Sequence, residues 1–289
     1  MRIGIVHTVA SPCRCHETLV RALGALGHAT VLADSEEVPF RAAELAGLDL
    51  VFDQTDTFSG KGVLRPVVRQ LLEARGARCV GSDARACFLA DDKVATKRVL
   101  ERASVPTPRG VTAGATPTFL FPRVVKPVHE HMSRGLAVVR GEKDQAAALA
   151  RLEAAGMAAL VEELVPGREL AVSVVGHETL PIVEWPLAGV VLDTEAKRAG
   201  PDPFAARLDA TLAARISSVA LRAFDALGLS GWARFDLKLG AGGEPVFLEA
   251  NTKPSLEPGS PCLVAAAALG LDETRFIERL VATALSRPR

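Results

Sequence analysis

The fold is decided by residues 233–260, which read ARFDLKLGAGGEPVFLEANTKPSLEPGS. Before the glycines, Phe235, Leu237 and Leu239 alternate with polar residues, and we expect Val246, Leu248 and Ala250 to continue the same apolar face after the turn. Alternation of this kind predicts a β-hairpin with one apolar side. The other side would then gather four chemically active residues, namely Arg234, Asp236, Glu249 and Asn251.

This hairpin face has the composition of a magnesium site. Two carboxylates and an amide oxygen are hard ligands, and Mg²⁺ typically binds one or two carboxylates together with substrate phosphates. A neighbouring guanidinium suits a phosphate or an oxyanion. The alternative is a solvated hairpin with surface ion pairs. The prediction also depends on the register, because a shift of one residue in the pairing would place all four side chains on the opposite face.

Bulk properties narrow the class of protein. The chain has 289 residues, with 34 Lys+Arg against 34 Asp+Glu. A balanced charge argues against nucleic acid or an anionic membrane as the main partner. The sequence contains no apolar run long enough to span a bilayer and no N-terminal signal segment, so we expect a cytoplasmic protein.

The cysteines do not indicate a disulfide framework, because there are five of them in a chain of this length. Cys13, Cys15 and His16 lie close together, but Cys-x-Cys spacing is not that of a zinc knuckle and no second pair follows. We therefore expect free, reduced thiols.

Strand and helix patterns alternate through the first 82 residues, which predicts a parallel sheet covered by helices, with a last strand at Arg78–Val80. A strand-rich middle region and the hairpin region follow. We predict an α/β protein of three lobes: an N-terminal α/β domain at 1–82, a central lobe at 83–164 and a C-terminal lobe at 165–289.

Four further segments carry weaker signals. Lys126 ends a strand before a loop with Ser133 and Gly135, a pattern that can cover phosphates but is also common in surface hairpins. Glu162 and Glu169 flank a lobe boundary, where either a nucleotide base and ribose or a simple acidic turn would fit. Lys93 stands at a helix start, where a cation opposes the helix dipole unless it reaches an anion, whereas Glu17 near another helix start is explained by capping.

Taken together, these segments resemble the ATP-grasp superfamily, and among its members the D-alanine–D-alanine ligases. The resemblance covers nearly the whole chain. Its signatures are Gly81-Ser82, Leu89 to Lys93, Val125-Lys126-Pro127 with Ser133 and Gly135, Glu162-Glu163, Gly167-Arg168-Glu169, Glu195-Ala196-Lys197, Ala233 to Asp236, and Glu249 to Thr252 with Pro254 and Ser260.

The resemblance implies a role for each matching residue. Lys93 and Lys126 would bind ATP phosphates under a loop carrying Ser133, and Lys197 would approach the γ-phosphate. The adenine would meet Glu162 and the Val165 backbone, and the ribose would meet Glu169. Two Mg²⁺ ions would be held by Asp236, Glu249 and Asn251. Arg234 would stabilise the oxyanion, Ser260 would contact a substrate carboxylate and Glu17 would contact a substrate amine.

The chain departs from the family around the amino-acid pockets. A Glu–Ser–Tyr linkage common in these ligases cannot form, because the chain has no tyrosine and has Met132 and Arg198 at the Ser and Tyr positions. The usual Gly that serves the oxyanion is Ser255, preceded by Lys253. Residues near Gln54 and Asp56 replace a His-Gly pair. The ATP and metal positions are kept.

These differences predict an ATP-dependent carboxylate–amine ligase that activates an amino-acid carboxylate as an acyl phosphate, with substrates other than two D-alanines. It would form a dipeptide or close a ring, in a specialised pathway such as antibiotic biosynthesis. Arg198 and Lys253 would suit a substrate with an additional acidic or acceptor group. Related ligases are often dimers, so a homodimer is expected. The alternatives are a non-catalytic nucleotide-binding or regulatory homologue and a small-molecule kinase.

Overall fold

The computed structural model describes residues 1–131, 133–186, 202–240 and 242–287. The N-terminal part contains a parallel sheet in the order β2-β1-β3. Its strands are β1 (Arg2–His7), β2 (Ala29–Asp34) and β3 (Leu50–Gln54), and its helices are α1 (Cys15–Ala25), α2 (Val38–Ala46) and α3 (Arg65–Ala74).

The strand that we predicted at Arg78–Val80 does not form. Only a single parallel bridge joins Val51 to Cys79. Gly81 then adopts a φ of 91°, which turns the chain away from the sheet edge before a second pair can form.

A four-stranded antiparallel sheet follows in the order β4-β7-β5-β6, and helix α6 (Glu142–Ala154) packs on it. The strands are β4 (Gly110–Thr112), β5 (Arg123–Pro127), β6 (Ala137–Val139) and β7 (Ala159–Glu163). This sheet has its own small core, centred on Val125, Leu152 and Val161.

The largest sheet is also antiparallel, in the order β11-β10-β8-β12-β13 with β9 paired to β8. Its strands are β8 (Arg168–Val175), β9 (Glu178–Thr179), β10 (Val183–Trp185), β11 (Phe204–Ala205), β12 (Trp232–Leu239) and β13 (Pro245–Asn251). Its core includes side chains from three helices, which are α4 (Ala84–Asp91), α5 (Lys93–Arg102) and α7 (Ala210–Ala226).

The chain ends with α8 (Pro261–Ala267) and α9 (Glu273–Leu285), which return to the N-terminal sheet. One core combines Ile3 and Phe52 of that sheet with Phe276 and Leu280 of α9. The first and last parts of the chain therefore share one hydrophobic interior.

Two glycines are required where backbones approach closely. Gly167, at the start of β8, has a φ of 137°, and a Cβ there would collide with the Leu239 carbonyl oxygen. At Gly231 the φ is 70°, and a Cβ would lie 2.8 Å from Gly81 Cα. Any side chain at either position would force the neighbouring strand or loop to move.

The predicted hairpin forms, but with a β-bulge that we did not predict. The pairing shifts after Asp236, so that Leu237 lies opposite Phe247. Phe247 is fully buried in the core and makes an edge contact with Phe235, whereas Leu248 is only partly buried. Our assignment of Val246 and Leu248 to the apolar face was therefore wrong, because the extra residue reverses the sides of the strand.

The predicted α/β architecture, with an N-terminal parallel sheet followed by antiparallel sheets, is confirmed. The lobe boundaries near 82 and 164 stay a prediction. Among the described residues, no helix is both long enough and apolar enough to cross a membrane.

Candidate active site

The hairpin β12–β13 brings the four predicted residues to one side of the large sheet. Arg234 is opposite Asn251, and Asp236 is opposite Glu249. Both pairs precede the bulge, so their register is the one expected from simple alternation. This places two carboxylates, an amide and a guanidinium side by side, as the sequence indicated.

Arg234 and Asp236 are joined by two parallel hydrogen bonds. Nε donates to Oδ1 at 2.7 Å and Nη2 donates to Oδ2 at 2.8 Å. Burial opposes the charge on Arg234, but the Asp236 carboxylate outweighs it and raises the guanidinium pKa. Arg234 therefore remains cationic in a buried position.

A first cavity lies between the four-stranded and the large sheet. It is lined by eight of the predicted residues, which are Lys93, Lys126, Ser133, Glu162, Val165, Glu169, Asp236 and Glu249.

Two cations are held beside one buried carboxylate at the floor of this cavity. Glu162 lies 2.6 Å from Lys126 Nζ and 2.8 Å from Lys97 Nζ. Burial opposes ionisation of Glu162, yet the two lysines hold its pKa below the ordinary value. Lys97 was not among our predicted residues. It pairs with Oε1 of Glu162, and Lys126 pairs with Oε2.

Lys93 begins α5 and points back across the cavity. Its Nζ donates to the carbonyl oxygens of Glu130 and Val128, in the loop that follows β5. Burial lowers the pKa of Lys93, and the nearby Lys126 lowers it further, while Glu249 opposes both. An anion in this cavity would relieve the repulsion between the two lysines.

The remaining predicted residues of this cavity lie at its rim. Glu169 pairs with Lys238 at 2.9 Å across β8 and β12. Ser133 has a φ of 58°, and Gly135 has a φ of 72° with Pro127 close by. A turn of this shape folds the loop after β5 over the cavity.

A second cavity adjoins the first and shares Glu249 with it. It is lined by Arg234, Asn251 and Ser260 of the predicted set. The Ser260 side chain is buried, and within the described part of the chain its hydroxyl has no hydrogen-bond partner. A buried hydroxyl of this kind is stabilised by a ligand acceptor.

The cations of the second cavity are already paired. Nε and Nη2 of Arg65 donate to the two carboxylate oxygens of Asp91, at 2.6 and 2.7 Å. Lys253 lies 2.6 Å from Asp53, with side chains only 5% and 1% exposed. Lys253 is therefore paired with a buried carboxylate, and its contact with an acidic or acceptor group of the substrate stays a prediction.

The structure does not bring Glu17 to either cavity. Its side chain is 52% exposed and lies 3.7 Å from Arg14. Helix α1 starts at Cys15, two residues before Glu17. Two residues correspond to about 200° of rotation, so Glu17 faces away when Cys15 faces the cavity. Lys197, Met132 and Arg198 lie outside the described residues.

Several lining residues of the second cavity were not predicted, among them Cys13, Cys15, Trp185 and Glu257. His131 also lines it, and burial followed by repulsion from Arg65 holds its pKa well below the ordinary value, so the ring is neutral. In the sequence, the one indication of these residues was the Cys-x-Cys spacing, and it did not show where the two cysteines lie in the fold.

The hairpin donors suit a hard cation. Among the described residues, no three His, Cys, Asp or Glu side chains assemble into a metal site. Asp236, Glu249 and Asn251 contribute two carboxylates and one amide, and Asn251 Oδ1 accepts from the Lys253 backbone at 3.0 Å. This partial set is the kind that Mg²⁺ uses when phosphates and water complete its shell.

Comparison with known proteins identifies relatives of the chain. A family model described as D-ala D-ala ligase C-terminus matches residues 94–282. A D-alanine–D-alanine ligase of Synechococcus sp. (strain JA-3-3Ab) is 35% identical over 286 residues, covering 92% of this chain and 87% of the relative. A second Synechococcus ligase of the same name, from strain JA-2-3B'a(2-13), is 33% identical over 92% of this chain and 86% of its own.

Solved structures have the same fold. D-alanine–D-alanine ligase from Bacillus anthracis, complexed with ATP, gives a TM-score of 0.81 at 22% identity and covers 99% of this chain and 97% of its own. VanG D-Ala:D-Ser ligase from Enterococcus faecalis gives 0.81 at 20% identity, over 98% of this chain and 99% of its own.

Proposed function

The chain belongs to the D-alanine–D-alanine ligase family of ATP-grasp enzymes, and from this premise we propose that it joins amino-acid substrates other than a pair of D-alanines. It is an ATP-dependent ligase that forms a C–N bond. The observation that carries the proposal is the pair of adjoining cavities, one lined by lysines and carboxylates and the other by residues atypical of the family.

The first cavity supplies the nucleotide site. Lys93 and Lys126 bind the phosphates, Ser133 covers them, and Glu169 accepts from the ribose. Glu162 and the Val165 backbone meet the adenine, and Lys197 approaches the γ-phosphate. Two Mg²⁺ held by Asp236, Glu249 and Asn251 would neutralise charge on the transferring phosphoryl group.

The second cavity holds the amino acids. Ser260 donates to a substrate carboxylate, which satisfies its hydroxyl. The carboxylate that receives the phosphoryl group becomes an acyl phosphate, which an amine attacks with loss of phosphate. Since Nε and Nη2 of Arg234 bind Asp236, Nη1 is the donor that remains for the oxyanion of the tetrahedral species.

The wall of the second cavity supports a substrate with an additional ammonium group. Its cations Arg65 and Lys253 are neutralised by buried carboxylates, while Asp56, Asp202 and Glu257 add negative charge. This proposal is an alternative to our first expectation of an additional acidic or acceptor group. A relative with the same fold, VanG, is a D-Ala:D-Ser ligase, so substrate pairs differ among proteins of this fold.

Release of ADP, measured in a coupled assay, tests the proposal. Purified protein with MgATP is offered single amino acids and pairs of both configurations, including 2,3-diaminopropionate, lysine and ornithine. We expect turnover with a diamino acid to exceed that with D-alanine alone. A rate with D-alanine alone that equals or exceeds every other substrate would refute the altered specificity.

The products separate the remaining possibilities. Mass spectrometry distinguishes a dipeptide from a ring closed within one substrate, because their masses differ by that of an amino acid. A stable phosphorylated product would instead favour a small-molecule kinase. Nucleotide binding without magnesium dependence or turnover would favour a regulatory protein.

Light scattering tests the dimer that we expect from related ligases.

A further inference from the structure

Two thiols face each other in the wall of the second cavity. Cys13 and Cys15 both line it, and the Cys13 thiol donates to the Cys15 sulfur at 2.9 Å. The other three cysteines, Cys79, Cys87 and Cys262, are buried and do not line either cavity. The pair is therefore a chemically distinct feature of the substrate site.

Cys15 has the surroundings of a nucleophilic thiolate. It is the first residue of α1, where the helix dipole favours negative charge, and its sulfur accepts from the Leu256 backbone N–H at 3.2 Å. The Ser255 hydroxyl lies 3.6 Å away. The hydrogen bond from Cys13 lowers the pKa of Cys15 against the effect of burial, and the same contact raises the pKa of Cys13.

The spacing of the two residues permits a covalent bond. Two residues apart, their Cα atoms lie within about 7 Å of each other. A disulfide needs a Cα separation of about 4.4–6.8 Å and side chains that converge. The thiol contact meets the second requirement, so bridging needs only a small local adjustment.

We propose that Cys13 and Cys15 form an oxidisable dithiol, and that peroxide converts it into a disulfide that weakens amino-acid binding. The Cys15 thiolate attacks one peroxide oxygen, so that an S–O bond forms, the O–O bond breaks and hydroxide leaves to become water. The Cys13 thiol then attacks the Cys15 sulfur. An S–S bond forms, the S–O bond breaks and a second water leaves.

The effect on binding follows from the contact with Leu256. Oxidation removes the negative charge from the Cys15 sulfur, which accepts the hydrogen bond from the Leu256 N–H. Leu256 lies in the segment between Asn251 and Ser260. Arg14, between the two cysteines, donates its backbone N–H to Glu257 in the same segment. Bridging therefore displaces one wall of the second cavity and leaves the first cavity intact. The effect on activity depends on the proposed function, whereas formation of the disulfide does not.

Peptide mapping detects the bond without any activity assay. Trypsin cleaves after Arg14, between the two cysteines. Reduced protein treated with iodoacetamide gives two separately alkylated peptides, 3–14 and 15–21. Protein treated first with hydrogen peroxide should give these peptides joined by a disulfide, and dithiothreitol should separate them. Peptides that stay separate and alkylated after peroxide would overturn the proposal.

Kinetics with the amino-acid substrates then measure the consequence. Oxidation should raise their KM about tenfold, the equivalent of about 1.4 kcal/mol, and dithiothreitol should restore it. The KM for ATP should change by less than about twofold, well under 1 kcal/mol. Complete linkage with unchanged amino-acid KM would refute the regulatory half of the proposal.

Matched serine variants complete the test. Cys13→Ser and Cys15→Ser should each abolish the linked peptide and the reversible change in KM. Cys79→Ser, at a buried position away from both cavities, should retain them. Linkage that persists in Cys13→Ser would show that another cysteine is the partner of Cys15. If no amino acid supports turnover, the mapping still decides whether the dithiol exists.

Discussion

At the scale of single residues, Asp236 and Glu249 are the carboxylates on which the proposed phosphoryl chemistry depends. We expect Asp236→Asn and Glu249→Gln each to lower kcat by about a hundredfold or more, which corresponds to about 2.7 kcal/mol of lost transition-state stabilisation. The reason is the loss of a negatively charged ligand for a hard cation. The measurement is ADP release as a function of magnesium concentration.

Glu244 provides the control for these two substitutions. It lies at the turn of the same hairpin, with its side chain 67% exposed and paired to Arg215. Glu244→Gln should change kcat by less than about twofold, as expected for an exposed ion pair. Equal effects of all three substitutions would argue that the hairpin contributes only its fold.

The buried pair of Asp53 and Lys253 makes a prediction about stability. Lys253→Met leaves the Asp53 carboxylate without its partner, and breaking a buried pair on one side costs about 3–5 kcal/mol. The double variant Asp53→Asn/Lys253→Met should be less destabilised than Lys253→Met alone. Urea unfolding of the two variants and the wild type measures this, and a double variant that is less stable than Lys253→Met would contradict it.

The same pair makes stability depend on pH. Although burial opposes ionisation, Lys253 and Arg69 hold the pKa of Asp53 below its usual value. A lowered folded-state pKa stabilises the protein above the unfolded value of about 3.9, and this contribution is lost as the pH falls through the folded value. The stability difference between wild type and double variant should therefore be constant above about pH 5 and fall below about pH 4.

At the scale of elements, the bulge in β13 gives neighbouring residues opposite roles. Phe247 is fully buried, whereas Leu248 lines the first cavity. Phe247→Ala should cost about 3–5 kcal/mol in the free energy of unfolding. Leu248→Ala should cost less than about 1.5 kcal/mol and mainly raise the KM for ATP, since its side chain is only partly buried on the cavity side. Denaturant titration and kinetics of both variants measure these effects. Reversed effects would mean that the strand has no bulge.

Sequence alternation predicted this hairpin and the shared side of Arg234, Asp236, Glu249 and Asn251, because these four residues pair in regular register on one side of the irregularity. The alternation did not predict the bulge. One residue between 246 and 249 has no partner on β12, and the composition of the strand does not show this. The sequence also did not predict the orientation of α1. Glu17 follows Cys15 by two residues on this helix, so its side chain lies on the outer side when Cys15 faces the cavity.

Partners distant in sequence were equally beyond prediction. The pairing of Lys253 with Asp53 could not be predicted, because the two residues are 200 positions apart in the sequence and only the folded chain brings them together. The cysteines were correctly expected to be free thiols. Their position in the cavity wall depends on the packing of α1 against the segment after β13.

At the scale of the whole molecule, the cores differ in size and connectivity. The four-stranded sheet has a small core of its own, while the N-terminal sheet shares a larger one with α9. Local opening is easiest where few apolar contacts are buried. We therefore expect amides of β5 and β7 to exchange with solvent at a lower free energy than those of β8 and β12.

Hydrogen exchange with mass spectrometry measures this difference. Magnesium and a non-hydrolysable ATP analogue should protect β5 and β7 more than β1, because the first cavity lies between their sheet and the large sheet. Uniform protection across the three sheets without ligand would contradict the prediction and indicate a single cooperative unit.

The position of Glu249 has a consequence for inhibition. This carboxylate belongs to the walls of both cavities, so in the function that we propose one side chain would lie between the nucleotide and the amino acid. A single molecule that links an adenosine group to a phosphorylated amino-acid mimic would cross at this point. Such a compound gains affinity from both halves through effective concentration, and its selectivity among related ligases would come from the half that lies beside Cys13, Cys15 and Glu257.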